Sequence, residues 1–281
     1  MPEPLKLDSH QHFWKYDAAQ YPWIAKGSPL QRDWLPADLA PLLARAGLDG
    51  CIAVQARQTL EETRWLLALA EENPIIHGVV GWVDLRHDRV GEQLAGFAAN
   101  RKLRGVRHVV QDEPDADFML GVEFQRGIAC LHHFGLAYDI LIYPRQLPAA
   151  IALAKRFPDQ PFVLDHIAKP RIAEGTLSPW REQIRELALA PNVMCKISGM
   201  VTEARRDSWK PGDFFPYLEV VMEAFGEDRL MFGSDWPVCL LSGSYQSVFE
   251  LATGFFAPLP ASAREKLFGA NAARFYLGRA V

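Results

Sequence analysis

Two kinds of hydrophobic pattern alternate along the chain. Short apolar runs, most of them bounded by Gly, Pro, Asn or polar residues, are typical of buried β-strands. Eight such runs occur, at residues 5–9, 51–55, 78–83, 105–110, 137–142, 162–165, 193–197 and 230–232. The longer segments between them place apolar residues at helical spacing, most clearly at residues 37–46, 59–72, 147–156, 179–189 and 215–225. Gly47 follows the first of these segments and is predicted to end that helix.

This order of elements predicts the fold. Strands that alternate with helices indicate parallel strands joined by right-handed crossovers. Eight such units fit a closed (β/α)8 TIM barrel better than an open sheet, and a barrel of this type needs about 250 residues. The 281 residues are therefore expected to form a single barrel domain over positions 1–281. The sequence contains no glycine-rich dinucleotide motif or P-loop that would favour a nucleotide-binding sheet.

Two long segments interrupt this regular order. Residues 14–36 follow the first strand and are rich in Trp, Tyr and Pro, and residues 201–212 follow the seventh strand and are polar and charged. Loops after barrel strands lie at the C-terminal face, where barrel enzymes carry their active sites. Long loops of this kind are usually functional or disordered, and the aromatic content of residues 14–36 argues against disorder. We expect this first segment to form a wall or lid over a pocket.

Composition narrows the class of protein. Hydrophobic residues make up 49% of the chain and charged residues 23%, which are values typical of a globular protein. The net charge of −4 is too mild to indicate nucleic acid or an anionic membrane surface as a partner. The four cysteines form no C-x-x-C motif, and no apolar run is long enough for a signal peptide or a membrane helix. We therefore expect a reduced, cytoplasmic enzyme with a small-molecule substrate, and an oligomer is compatible with these features.

Three strand ends carry the strongest candidate chemistry. His10 and His12 follow the first strand two residues apart, so both imidazoles are predicted to point the same way, as a divalent metal site requires. His166 ends the sixth strand and can complete a metal site or donate to a substrate carbonyl. Asp235 follows the eighth strand and can bind a metal or act as a general base. Each residue alone also suits an ordinary structural role, but a barrel brings all three strand ends to one pocket.

Further polar residues lie on the fourth and fifth strands. Arg107 and His108 are neighbours in the fourth strand and must point to opposite faces, so at most one of them is predicted to line the pocket. A buried Arg107 would need a paired anion. Glu113 follows this strand and is a candidate acceptor for a sugar hydroxyl. Asp139 lies in the apolar fifth strand and needs a partner, either a histidine or arginine of the site or a substrate hydroxyl.

The sequence resembles the amidohydrolase superfamily, and within it the amidohydrolase-2 branch. The opening Asp8-Ser9-His10-Gln11-His12 is similar to the first-strand H-x-H motif of that branch, Asp165-His166 with Lys169-Pro170 to its sixth-strand signature, and Gly233-Ser234-Asp235-Trp236-Pro237 to its eighth-strand motif. The stretch from Gly105 to Pro114 resembles the sugar-lactonase group, which includes L-fuconolactonases and L-rhamnonolactonases.

The resemblance implies a set of roles. His10, His12 and Asp235 would surround one divalent metal, most plausibly zinc, while His166 would contact the substrate carbonyl and Asp235 would take the proton of the attacking water. Asp139 stands where many members have a metal-binding histidine, so a two-metal site is not expected. Some lactonases of the branch are thought to work without a tightly bound metal, which leaves the metal requirement open.

These observations lead to one hypothesis and two alternatives. We expect a carboxylic ester hydrolase that opens a sugar lactone to the aldonic acid, with Arg107, His108, Glu113, Asp139 and the aromatic segment that begins at Trp14 holding the hydroxylated ring. Within the same branch, the barrel could instead hydrolyse a pyrone-dicarboxylate lactone or decarboxylate an aromatic acid. In a different class, it could bind a sugar acid without catalysis.

Overall fold

Eight short parallel strands lie in chain order around a barrel in the computed structural model, which describes residues 4–206 and 208–278. Each strand pairs with the next, and the two ends of the sheet meet because Asp235 N donates to His10 O at 2.8 Å and His12 N donates to Trp236 O at 2.7 Å. The strands are β1 (Leu7–Gln11), β2 (Gly50–Val54), β3 (Ile76–Gly81), β4 (Leu103–His108), β5 (Ala137–Ile140), β6 (Phe162–Leu164), β7 (Val193–Ile197) and β8 (Leu230–Phe232).

Helices surround the barrel and close its base. They are α1 (Pro36–Ala46), α2 (Leu60–Glu72), α3 (Val90–Ala98), α4 (Val122–His133), α5 (Leu147–Arg156), α6 (Trp180–Ala188), α7 (Phe215–Phe225), α8 (Tyr245–Phe256), α9 (Ala261–Glu265) and α10 (Asn271–Leu277), and short 3-10 turns occupy several of the connections. Gly47 ends α1 in the left-handed conformation, as predicted, and its N–H bonds the last carbonyls of the helix. The predicted (β/α)8 barrel in a single domain is thereby confirmed.

The hydrophobic core of the barrel has two parts, and a separate small cluster of Trp14, Tyr21, Ile24 and Leu30 lies within the long segment after β1. The larger part lies between the outer faces of the strands and the helices that cover them, as the amphipathic helix patterns require. The smaller part lies inside the barrel near its base, where Ala272, Ala273 and Tyr276 of α10 pack against inward-facing residues such as Val54 and Met231. Helix α10 therefore plugs the N-terminal face of the barrel, and the opposite face is left for the candidate site.

The first strand differs from its predicted position. The sequence predicts a strand at residues 5–9, because the apolar residues end there and the chain becomes polar, whereas β1 spans Leu7–Gln11 and is buried throughout. The shift has a physical cause, since the polar residues at its end continue the sheet by pairing with the chain just beyond β8. His10 therefore belongs to the strand itself, and the hydrogen-bonded barrel holds its backbone more rigidly than a loop would. None of the helices in the described ranges is both long and apolar enough to cross a membrane.

Candidate active site

The predicted strand ends meet in one buried cluster. His12 Nε2 lies 3.3 Å from both His10 Nε2 and Asp235 Oδ1, and His10 Nε2 lies 3.8 Å from the same Asp235 oxygen. His166 Nε2 lies 3.9 Å from that oxygen, and its ring centroid is 4.4 Å from that of His10. The structure therefore brings together all four residues that the sequence predicted at the barrel mouth.

The backbone is strained at two of these positions. Residues 166–169 all have positive φ, between 48° and 60°, and Asp235 has φ 56°. Left-handed conformations cost non-glycine residues about 1 kcal/mol or more each, and they cluster at functional sites where the surrounding structure enforces them. The left-handed turn directs His166 and Lys169 towards the same cavity, which a strand continuing past Leu164 would not do.

Two glycines provide space for the imidazoles. A Cβ atom at Gly199, which has φ 59°, would overlap the ring of His166, and a Cβ atom at Gly233 would overlap His10. Gly199 follows β7 and Gly233 follows β8, so each histidine lies against the end of a neighbouring strand. The position of the His166 ring and the place of His10 in its strand therefore depend on residues that have no side chain.

The Nδ1 atom of each histidine has a partner that orients its ring. His12 Nδ1 donates to the carbonyl oxygen of Val54 at 2.8 Å, which leaves Nε2 of a neutral ring as an acceptor. His10 Nδ1 lies 3.2 Å from Asp165 Oδ1, and His166 Nδ1 bonds Ser198 Oγ at 2.8 Å. Partners of this kind fix the tautomer and the orientation of histidines in metal and acid–base sites.

A network of paired charges lies beneath the cluster. Arg107 Nη1 donates to Asp165 Oδ2 at 3.1 Å, and the ammonium group of Lys196 lies 3.1 Å from the other Asp165 oxygen and 2.5 Å from Asp139 Oδ2. Asp139 also accepts a hydrogen bond from the Tyr276 hydroxyl, which lies within 2.9 Å of both its oxygens. Two buried cations thus face two buried carboxylates, as the high cost of an unpaired buried charge requires.

His10 connects this network to the cavity. Arg107 Nη1 lies 3.2 Å from His10 Nε2, and because a guanidinium only donates, the lone pair of Nε2 must accept from it. His10 Nδ1 then carries the ring proton and lies 3.2 Å from Asp165 Oδ1, while Lys196, 3.3 Å from the same nitrogen, is already paired with Asp139. A neutral His10 satisfies all of these contacts.

The pKa values fit the same protonation states. Burial lowers the pKa of His10 and of His166 well below the ordinary value of 6.5, although Asp165 opposes the shift at His10 and Asp235 opposes it at His166. Burial alone would raise the pKa of Asp235, but His166 and His12 outweigh it and hold that pKa below 3.8. At neutral pH an ionised Asp235 therefore lies beside the neutral imidazoles of His10 and His166, and an ionised carboxylate is the state a general base needs.

The donor set also suits a divalent metal. In a tetrahedral zinc site with bonds of about 2.0–2.1 Å, ligand atoms are about 3.3 Å apart, and the His10, His12 and Asp235 atoms are separated by 3.3, 3.3 and 3.8 Å. His10, His166 and Asp235 form a second group, with ligand atoms all within 4.8 Å. Both groups have the nitrogen and oxygen ligands that zinc accepts, and both contain His10 and Asp235.

A cavity of about 610 Å³ opens above the cluster. Its floor includes His12, His166, Asp235 and Arg107. One side is formed by Ala19, Gln20, Pro22 and the half-exposed Trp23 of the long segment after β1, which confirms that this segment is a wall of the pocket. Polar side chains line much of the remaining wall: Gln20, Arg57, Gln58, Thr59, Gln111, Asp112, Lys169, Thr202 and Glu203.

The structure separates the two candidates of the fourth strand. Arg107 lines the cavity and has the paired anion that its burial requires, namely Asp165. His108 points to the other face of β4, where its ring stacks on Phe118 at a centroid distance of 4.9 Å and its Nε2 bonds Glu113 Oε1 at 2.7 Å. His108 and Glu113 are therefore engaged with each other outside the cavity lining.

Two further predicted substrate-binding residues also lie elsewhere. Trp14 is completely buried beneath the long segment, where its indole N–H donates to Arg32 O at 3.0 Å. Trp23, and not Trp14, is the tryptophan that lines the cavity. Asp139 is completely buried below the histidines and is bonded to Lys196 and Tyr276. This placement suits the other role foreseen for Asp139, which is to orient residues of the site.

Sequence reasoning missed several residues of the site. The sequence places Lys196 inside an apolar strand, and a lysine inside such a run needs a buried anion, so it carries a detectable signal. Asp165 enters the sequence argument only as part of a motif. Arg57 and Glu203 lie in loops, and nothing in the spacing of loop residues indicates that they would line this cavity.

Comparison with known proteins identifies the family of this chain. A family model described as Amidohydrolase matches residues 7–277. An L-fucono-1,5-lactonase from Burkholderia multivorans (strain ATCC 17616 / 249) is 45% identical, with coverage of 97% of this chain and 96% of that protein, and one from Burkholderia ambifaria is 38% identical, with coverage of 97% and 95%. A crystal structure of a Burkholderia multivorans amidohydrolase with bound Zn matches with a TM-score of 0.93 at 46% identity, over 97% of this chain and 99% of that chain. The resemblance seen in the sequence motifs is confirmed, and the chain belongs to the amidohydrolase family.

Proposed function

We infer that this chain is a lactone hydrolase that opens a sugar lactone, with L-fucono-1,5-lactone as the first substrate to test. The inference rests chiefly on the 45% identity with an L-fucono-1,5-lactonase, which extends over 97% of this chain and 96% of that protein. The site agrees with that activity, because an ionised Asp235 and a neutral His166 lie at the floor of a cavity whose lining includes several charged and amide side chains. A barrel alone would be compatible with many reactions.

Asp235 is the group that we assign to proton transfer. Its carboxylate takes a proton from a water molecule as that water attacks the lactone carbonyl, and it returns the proton to the ring oxygen as the carbon–oxygen bond breaks. Water and lactone are thereby converted to the aldonic acid with no other reactant. The closeness of His166 and His12 holds the pKa of this carboxyl group below its ordinary value, so the carboxylate is ionised before the water is bound.

His166 and Arg107 are placed to stabilise the charge that develops on the carbonyl oxygen. If the Ser198 hydroxyl donates to His166 Nδ1, the Nε2–H of the neutral ring is free to donate towards the cavity. The guanidinium of Arg107 adds a fixed positive charge at the cavity floor. Donors held in place before the reaction stabilise an oxyanion without reorganisation.

A single divalent metal would be held by His10, His12 and Asp235, with zinc the best match to these ligands. When bound, it would supply Lewis-acid polarisation or a more acidic water. Arg107 lies against His10 Nε2, so His10 can bind a metal only if the guanidinium moves away. This competition supports the view that metal binds weakly or is not essential.

Substitution of Asp235 tests the proposal. Hydrolysis of fresh L-fucono-1,5-lactone is followed with a pH indicator, with and without chelator, for the unmodified chain, Asp235→Asn and Asp112→Asn. Asp112 is an exposed carboxylate at the rim of the same cavity, so its substitution makes the same chemical change away from the cluster. We expect Asp235→Asn to lose at least about 1,000-fold in kcat and Asp112→Asn to stay within about threefold.

Three results would contradict the proposal. Full activity of Asp235→Asn would refute the proton path. If the unmodified chain opened no member of an aldonolactone panel, the substrate class would be wrong. Release of CO2 from an aromatic acid, or opening of a pyrone dicarboxylate, would favour the alternatives within the same branch.

A further inference from the structure

Two oppositely charged side chains face the cavity without bonding each other closely. Lys169 Nζ lies 3.7 Å from Glu203 Oε1, which is too long for a hydrogen bond. Their side chains are only 15% and 21% exposed, and both line the cavity. Within the part of the chain that the structure describes, no hydrogen bond satisfies either charged group. Polar groups that are mostly buried and point into a cavity without partners are typical of sites that bind a polar ligand.

The backbone holds both residues in place before any ligand binds. Lys169 is the last residue of the left-handed turn, where its N–H bonds His166 O at 2.8 Å, and the ring of Tyr143 lies 5.5 Å from its ammonium group. Glu203 ends the short 3-10 helix Val201–Glu203, and its N–H bonds Met200 O at 3.0 Å. Lys169 is therefore held by the same strained turn that positions His166, and Glu203 is held by the short helix that follows β7.

The pair also lies close to the reacting groups. The positive charge of Lys169 contributes to the lowered pKa values of His166 and Asp235. Burial is the largest cause of the raised pKa of Glu203, and the negative charge of Asp235 adds to it. A lactone with its carbonyl above Asp235 would extend its ring along the cavity wall, and Lys169 and Glu203 form part of that wall.

We propose that Lys169 and Glu203 together bind two neighbouring hydroxyl groups of the lactone ring, and that this pair selects polyhydroxylated lactones over unsubstituted ones. This assignment rests on the proposed lactonase function. An ammonium group only donates hydrogen bonds and an ionised carboxylate only accepts them, whereas a hydroxyl does both. One ring hydroxyl accepts from Lys169, its neighbour donates to Glu203, and the two can also bond each other.

Selection follows from what happens when the hydroxyls are missing. A lactone without them would displace water from both charged groups and return no hydrogen bond, which is how sites built for a substrate hydroxyl reject analogues that lack it. Because each side chain keeps some exposure, we expect a discrimination of about 100-fold rather than the largest values known for such sites. The pair contacts ring hydroxyls and not the carbonyl, and Asp235 should stay ionised without the charge of Lys169, because His166 and His12 contribute more to the low pKa of Asp235 than Lys169 does.

The test compares two six-membered lactones, L-fucono-1,5-lactone, which carries ring hydroxyls, and δ-valerolactone, which has none. Lys169→Met and Glu203→Gln each remove one charge while keeping most of the side-chain volume. Lys155→Met and Glu186→Gln are the matched controls, because that Lys–Glu pair, 2.7 Å apart, is half exposed and lies outside the cavity. For each variant, kcat and KM are measured on both lactones.

We expect Lys169→Met and Glu203→Gln to lose about 100-fold in kcat/KM on the sugar lactone and to remain within about threefold on δ-valerolactone. The control variants should match the unmodified chain on both. An equal loss on the two lactones would overturn the proposal, because it would indicate a catalytic or structural role, and so would unchanged activity on the sugar lactone.

Failure of the proposed function would be seen separately. If the unmodified chain turned over neither lactone, the lactonase assignment would fall, and calorimetric binding of the open-chain L-fuconate, which carries the same hydroxyl groups, would test the pair alone. Affinity that weakens at least tenfold in Lys169→Met and Glu203→Gln, but not in the control variants, would support it. Equal affinity in all five proteins, or no binding to the unmodified chain, would overturn it.

Discussion

His166 occupies its position because the residue packed against it has no side chain. Gly199 follows β7 in the left-handed conformation, and any Cβ there would overlap the imidazole. The His166 ring also lies close to the ring of His10, at a centroid distance of 4.4 Å, so it has little room to move away. A small change at position 199 should therefore act on His166 first.

Gly199→Ala is expected to lower kcat on the lactone by at least about 100-fold, because His166 must shift and a displacement of about 1 Å is enough to cost that much. Gly175→Ala is the matched control, since Gly175 has a similar φ of 66° but nothing lies within 4 Å of an added Cβ. Both variants should lose about 1 kcal/mol of stability from backbone strain. Equal activity of the two variants would show that the position of His166 does not limit the reaction.

At the scale of single residues, the sequence predicted the members of the site better than their partners. His10, His12, His166 and Asp235 follow strand ends, and the geometry of a barrel is enough to bring such positions together. The sequence also indicated that only one of Arg107 and His108 would face the cavity, since neighbours in a strand alternate. It could not indicate the Lys196–Asp139 pair, because pairing across strands depends on the register of the sheet, which single-strand patterns do not contain.

At the scale of elements, the barrel connects its two faces through buried polar contacts. Helix α10 plugs the base, and the hydroxyl of Tyr276 bonds the carboxylate of Asp139. Asp139 in turn bonds Lys196, which lies 3.3 Å from His10 Nδ1. A helix at the end of the chain thus supports a residue of the site at the opposite face, and its short sequence gave no sign of that role.

Tyr276→Phe tests this connection by removing one hydroxyl without changing the packing of α10. Loss of the bond leaves Asp139 with Lys196 as its remaining partner, so the ammonium group and His10 should both shift. We expect kcat to fall about tenfold and the free energy of unfolding to fall by about 1–3 kcal/mol. Tyr217→Phe is the control, since its hydroxyl donates to the Arg171 and Thr176 carbonyls on the outer side of the barrel.

The two variants separate positioning from general stability. Both should be somewhat less stable than the unmodified chain, and only Tyr276→Phe should lose activity at a temperature where both are fully folded. Activity of Tyr276→Phe within twofold of the unmodified chain would mean that α10 acts only as a plug.

At the scale of the whole molecule, the cavity wall is joined to the barrel by another buried carboxyl group. Glu62 of α2 accepts hydrogen bonds from the backbone N–H groups of Ala56 and Arg57 through one oxygen and from the hydroxyl of Tyr21 through the other. Tyr21 belongs to the long segment that the sequence predicted as a pocket wall, and Ala56 and Arg57 line the cavity beside it. The sequence located that wall by its aromatic residues but gave no indication of what fastens it.

Burial raises the pKa of Glu62 from 4.5 to about 7, despite the hydrogen bonds that favour its ionised form. Between these pH values the folded protein keeps a proton that the unfolded chain releases, so the stability contribution of this group is complete below pH 4.5 and is lost as the pH rises through 7. A pKa shift of this size changes the free energy of unfolding by at most about 3 kcal/mol.

Glu62→Gln should remove this pH dependence. The amide oxygen can accept from Ala56 and Arg57, and the amide N–H can donate to the Tyr21 oxygen, so the contacts persist without a titrating group. Urea unfolding between pH 5 and pH 8 should show the variant gaining stability relative to the unmodified chain as the pH rises, by up to about 3 kcal/mol. Glu61→Gln, at the exposed neighbouring position, should follow the unmodified chain. If the stability difference between Glu62→Gln and the unmodified chain were constant over this range, the wall would not be held by a carboxyl group that changes its charge near neutral pH.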